Sequence, residues 1–65
     1  MQVRLLPQNK VLTFSEDLRV TVLLRKLSLL PQTVMVIRGD RLLTEEDLVR
    51  KEDVIEIRSV ISGGL

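Results

Sequence analysis

One helical stripe, bracketed on both sides by segments of a different period, limits what this chain can fold into. Val20, Leu23, Leu24 and Leu27 fall at i, i+3, i+4 and i+7, which lines one face of a helix. Arg19, Arg25 and Lys26 take the remaining faces. Ahead of this stripe, Gln2 to Leu6 alternates, with Val3 and Leu5 on one side, a strand signal of period two. Behind it, Val54 to Ile61 alternates again, with Ile55 and Ile57 towards a core and Glu56 and Arg58 opposite. The helix is expected over about Leu18 to Ser28, with Ser15 or Asp17 as its cap and Pro31 beyond its end.

The remaining segments complete the order. Pro7 and Asn9 supply turn chemistry, and Val11 to Phe14 pairs back as a second strand. Val34-Met35-Val36-Ile37 is a continuous apolar run, expected to be a central strand with apolar neighbours on both faces. Gly39-Asp40 turns the chain into a short strand at Arg41 to Leu43; the adjoining Arg-Gly-Asp triplet is read as this hairpin turn rather than as an adhesion motif. Thr44 and Asp47 resemble a capping box for one helical turn over Glu45 to Val49, and Lys51-Glu52-Asp53 turns once more. Strand, strand, helix, strand, short strand, strand describes an α+β roll of the β-grasp (ubiquitin-like) type. One main helix crosses a mixed sheet of four to five strands, with the first and last strands parallel neighbours.

Composition removes most chemistry. With 65 residues there is room for one domain, whose small core must be built from Leu, Val and Ile, since Phe14 is the one aromatic residue. Histidine and cysteine are both absent, which excludes thiolate zinc sites, disulfides and every Ser/His or Cys/His nucleophile. Ten basic against nine acidic residues give a net charge of +1. Without aromatic stacking platforms, that charge makes a poor nucleic-acid binder. No apolar run reaches the ~18 residues of a membrane span and no signal peptide is evident. A soluble, cytoplasmic protein that binds no metal and no cofactor of its own is expected. Glu45-Glu46-Asp47 and Glu52-Asp53 are assigned to turns and not to a metal site.

The chain closes with Ile61-Ser62-Gly63-Gly64-Leu65. Paired glycines contribute no packing and cost conformational entropy in regular structure. A frayed terminus would account for them, but they directly follow the closing strand. The opening MQVRLL, the helix VTVLLRKLSL before Pro31, the hairpin VMVIRGDRLL, the closing KEDVIEIRSV and the diglycine together resemble the ThiS/MoaD family of ubiquitin-like sulfur carriers. The likeness runs almost end to end, its specific part being the last strand with the diglycine, and the shortness is more like ThiS.

The resemblance implies a domain over residues 1–61 and a C-terminal tail over 62–65, with Ser62 and Gly63 recognised as the tail. It implies that the Gly64 carboxylate is adenylated by an ATP-using enzyme of the ThiF/MoeB type. A persulfide from a sulfur-donor enzyme would then convert it to a thiocarboxylate. The sulfur would pass to an acceptor such as thiazole synthase, or into molybdopterin or tRNA. The chain would be a co-substrate and not an enzyme. Glycine suits the task, because a backbone without Cβ can thread a narrow channel, and Ser62 to Gly64 extended spans ~10 Å. Leu65 departs from the family pattern by holding the Gly64 carbonyl in an amide bond; a tag remnant is favoured over a precursor residue to be trimmed. The family further implies partner binding on the outer sheet face. Either Val34 and Val36 or Met35 and Ile37 must lie there, and Arg4, Leu6, Val34, Val36, Arg58 and Val60 are the expected partner-binding residues. Two other readings stand: a ubiquitin-like modifier conjugated through the same tail, and a β-grasp interaction domain that does not need it.

Overall fold

A computed structural model describes residues 1–60. The chain runs β1 (Gln2–Leu6), β2 (Lys10–Thr13), β3 (Leu18–Arg19), α1 (Val20–Lys26), a 3-10 turn (Pro31–Thr33), β4 (Val34–Arg38), β5 (Arg41–Leu43), β6 (Leu48–Val49) and β7 (Val54–Ser59). The main sheet has five strands in the order β2-β1-β7-β4-β5, and β3 and β6 form a separate two-stranded ribbon. β1 and β7 are parallel neighbours, and the other pairings are antiparallel. This is the mixed sheet with one main helix expected of a β-grasp α+β fold.

The helical stripe does what its spacing dictates. Val20, Leu23 and Leu24 are buried against Val3, Ile55, Ile57 and Val36 from one face of the sheet, with Met1, Leu18, Leu43 and Val49 closing the core. No buried polar side chain is left without a partner among the described residues.

Two local expectations fail for a common reason. The helix is seven residues long, because Leu18 and Arg19 pair with Val49 and Leu48 before it starts. Neither Ser15 nor Asp17 caps it. Its first amides donate instead to backbone carbonyls, Val20 to Asp47 at 2.9 Å and Thr21 to Glu45 at 3.0 Å. The Asp17 carboxylate accepts the Lys51 N–H at 2.7 Å. The segment from Glu45 to Val49 is likewise a turn followed by β6, not a helical turn. Half of the anticipated capping chemistry is present, since the Asp47 carboxylate accepts the Thr44 N–H at 2.7 Å, but it closes a tight turn. Pairing between β3 and β6 overrides the local propensities of both segments.

The helix ends as a Schellman motif, with Leu29 N–H donating to the Leu24 carbonyl at 2.9 Å and Ser28 N–H to the Arg25 carbonyl at 3.1 Å. Ser28 takes the left-handed conformation (φ 59°) that glycine usually fills. The two-residue loop between β4 and β5 places Gly39 at φ 65°, the glycine-first pattern of a tight hairpin.

Candidate functional site

Ile61, Ser62, Gly63, Gly64 and Leu65, which hold the expected reactive handle, lie outside the described residues. The strand that leads to them is fixed on every side. β7 is the middle strand, paired from Val54 to Arg58 with β1 and from Glu56 to Ser59 with β4. Its entry is clamped through Asp53. That carboxylate accepts the Arg50 N–H at 2.9 Å and the Arg38 guanidinium at 2.9 Å, while the Asp53 carbonyl accepts the Gln2 N–H at 2.9 Å. The Arg50 amide is the largest influence and holds the Asp53 carboxyl below its ordinary range; desolvation opposes it, and the Arg38 guanidinium adds a lesser lowering effect. At the far end the Val60 N–H donates to the Thr33 carbonyl at 3.0 Å, so the last described residue is tied to the 3-10 turn.

The sheet face turned away from the helix surrounds this strand. Register places Val11, Arg4, Glu56, Ile37 and Leu42 side by side across all five strands. A second row holds Leu6, Arg58 and Met35. Leu42 and Val54 are about three-fifths exposed (61% and 59%), Met35 38% and Val60 49%. Glu56 reaches along its own strand to Arg58, with Oε2 at 3.2 Å from both Nε and Nη2. A shallow open cleft of about 260 Å³, lined by Leu6, Pro7, Arg58 and Ser59, lies at the end of β7.

Of the expected partner-binding residues, Arg4, Leu6 and Arg58 come together on this face, and Val60 is exposed just past it. Val36 and Val34 do not join them. Val36 is 3% exposed, opposite Ile57 and Leu43 in the core, and Val34 packs against the same core. The correction follows from parity: Ile57 faces the helix, so Val36 beside it must too, and Met35 and Ile37 take the outer side. β4 is an interior strand, but apolar residues on both its faces do not mean both faces are covered. Sequence reading put Glu56 on the outer side and left Met35 and Ile37 as one of two open choices; the outer residues it did not name are Val11, Leu42 and Val54. Extending the alternation around Ile55 and Ile57 across the paired strands finds all three.

No group of three or more potential metal ligands converges among the described residues, and none of their helices is long and apolar enough to cross a membrane. What remains is an apolar, sparsely charged platform around a strand held on both edges, with Val60 exposed just past its end. No protein-family model matches the sequence. The chain is 44% identical over 59 residues to the sulfur carrier protein TtuB of Thermus thermophilus, a match that covers 91% of each protein. With that identity and coverage, and with the β-grasp sheet and helix in place, the chain belongs to the ThiS/MoaD-like family of ubiquitin-like sulfur carriers.

Proposed function

We propose that the protein carries sulfur as a thiocarboxylate on Gly64. A ThiF/MoeB-type enzyme would install it by joining the Gly64 carboxylate to AMP at the expense of ATP. A carboxylate is a poor electrophile, and AMP gives it a good leaving group. The outer sulfur of a donor persulfide then attacks the acyl adenylate and expels AMP, giving an acyl disulfide. A cysteine thiolate of the partner enzymes cleaves its S–S bond, releasing the Gly64 thiocarboxylate and leaving an enzyme disulfide. The carrier supplies no base, nucleophile or metal, in keeping with a sequence that has neither histidine nor cysteine.

The observation that carries this reading is the placement of β7. The strand preceding Ile61-Ser62-Gly63-Gly64 is hydrogen-bonded on both edges and ends beside an exposed apolar face. An activating enzyme can therefore hold the sheet and take the glycines without dismantling the domain. The outer face, with Arg4, Leu6, Met35 and Arg58 at its middle, is the docking surface in this reading. Met35 and Ile37 replace Val34 and Val36 in it.

The form ending at Gly64 is the substrate, because Leu65 occupies the carboxyl that must react. Incubating both forms with activating enzyme, sulfur donor and ATP tests this by intact mass. The Gly64-ending form should gain the mass of one oxygen exchanged for sulfur, and equal adenylation of the Leu65-ending form would contradict it. Isopeptide-linked conjugates with no sulfur gain would favour the modifier instead. The acceptor is the second readout. Shortness does not single out thiamine biosynthesis, since the relative matched over 91% of its length is equally short and is named simply a sulfur carrier. Thiazole synthase remains the acceptor proposed first, assayed beside molybdopterin and tRNA thiolation with the same thiocarboxylate.

A further inference from the structure

The outer face is apolar, but its few charges are not equivalent. Arg58 is occupied, its guanidinium bridged to Glu56 within the same strand. Arg4 sits on β1, second in the five-strand row between Val11 and the central Glu56, exposed and with no ion pair among the described residues. The Glu56 carboxylate, its nearest acidic neighbour in register, is turned to Arg58 instead. The face therefore presents one uncompensated positive charge, Arg4, in an apolar field of Val11, Ile37, Leu42, Met35 and Val54.

We propose that Arg4 is the specificity residue of this surface, and that the partner seated on it is an activating enzyme whose apolar docking patch carries a carboxylate opposite Arg4. The inference rests on the carrier reading above. A partner that covered Arg4 with hydrocarbon alone would have to strip water from a guanidinium without replacing its hydrogen bonds. A carboxylate meets the guanidinium with charge-assisted bonds and rejects partners that bring a cation or nothing. The Glu56–Arg58 pair then has a distinct role. It compensates the charge of the second arginine within the face, so that one acidic group is selected and not two.

The test is ATP–pyrophosphate exchange by a ThiF/MoeB-type enzyme from the same organism, with the Gly64-ending chain as substrate. KM for the carrier and kcat are followed against salt. Arg4→Glu should raise KM at least ~10-fold with kcat retained, because like charges then face each other. Arg4→Lys should restore most of the loss. Glu56→Gln, which frees Arg58, should steepen the dependence of KM on salt relative to the parent. Both positions are on the solvent side of the sheet, and circular dichroism checks the fold of all three variants. An unchanged KM for Arg4→Glu, or a parent KM insensitive to salt, would overturn the assignment of Arg4 while leaving the carrier reading intact. Absence of exchange by the parent chain itself would instead remove the carrier reading and this inference with it. A stable dimer in sedimentation, dissociated by Arg4→Glu, would give the face to a second copy and also overturn the proposal.

Discussion

Changing Val36 to Asp places a carboxylate in the inner row between Leu43 and Ile57, on the helix side of the sheet. At 3% exposure the new group has no route to water, and no buried polar side chain lies in that core to receive it. The loss has two parts. Removing a fully buried valine forfeits about 1.5–3 kcal/mol of apolar burial. Leaving an unpaired acid in its place adds about 2–4 kcal/mol, even when the acid takes up a proton to avoid carrying charge. Together these come to about 5 kcal/mol, against a total stability of roughly 3–10 kcal/mol for a domain of this size. The melting point should fall by ~20 °C or more, and much of the population should unfold at room temperature. Met35→Asp, one residue away on the outer face, should change stability by no more than about 1 kcal/mol. Urea denaturation followed by circular dichroism measures both. A Val36→Asp protein that melts within a few degrees of the parent would refute the assigned parity of β4 and the docking surface drawn from it.

Two further outcomes follow from the local geometry. Ser28→Gly relieves a left-handed serine inside an intact Schellman motif and should raise stability by about 0.5–1 kcal/mol, the strain relieved being partly offset by the entropy glycine adds to the unfolded chain; a lowered urea midpoint would contradict it. Asp47 and Asp53 are both held below the ordinary 3.8, chiefly by the amides of Thr44 and Arg50 respectively. A depressed folded-state value contributes stability above the unfolded one and loses it as pH falls through the folded one. The urea midpoint should therefore be flat from neutral pH to about 5 and decline below about 4. Asp47→Asn combined with Asp53→Asn should flatten the decline, and a midpoint that rises on acidification would reverse the sign of the argument.

The strands that could be read from the sequence were those with true alternation. β1 and β7 carry apolar residues at every second position, so both their existence and their inward faces were legible before any pairing was known. The helix was legible from its stripe, but not its start, because Leu18 satisfies a helical face and a strand equally well. Only the Leu18–Val49 pairing separates the two. The turn at Thr44–Asp47 misled for a related reason: an acid reaching back three residues is the same local device in a helix cap and in a tight turn. β4 hid its faces altogether. Four consecutive apolar residues have no parity of their own, and register against Ile57 decides it. The candidate platform inherited that ambiguity, which is why alternation placed Arg4, Leu6 and Arg58 on the outer side while Met35 and Ile37 stayed an open alternative to Val34 and Val36.

The position of β7 also bears on what the proposed function gains from a reactive segment that follows the central strand of a sheet. A tail that follows an edge strand can be lengthened by peeling that strand, at the cost of one ladder of hydrogen bonds. β7 would have to surrender two, together with the burial of Ile55 and Ile57, each at most 2% exposed. Pulling on residues beyond Val60 therefore meets a support whose local opening approaches global unfolding in cost. The side chains on the other face of the same strand, Glu56 and Arg58, lie in the exposed platform. In the proposed function, the docking surface and the residues that follow Val60 would thus be borne by one rigid element. An enzyme that recognised the first would have fixed the origin of the second, without any ordering of the domain at the moment of reaction.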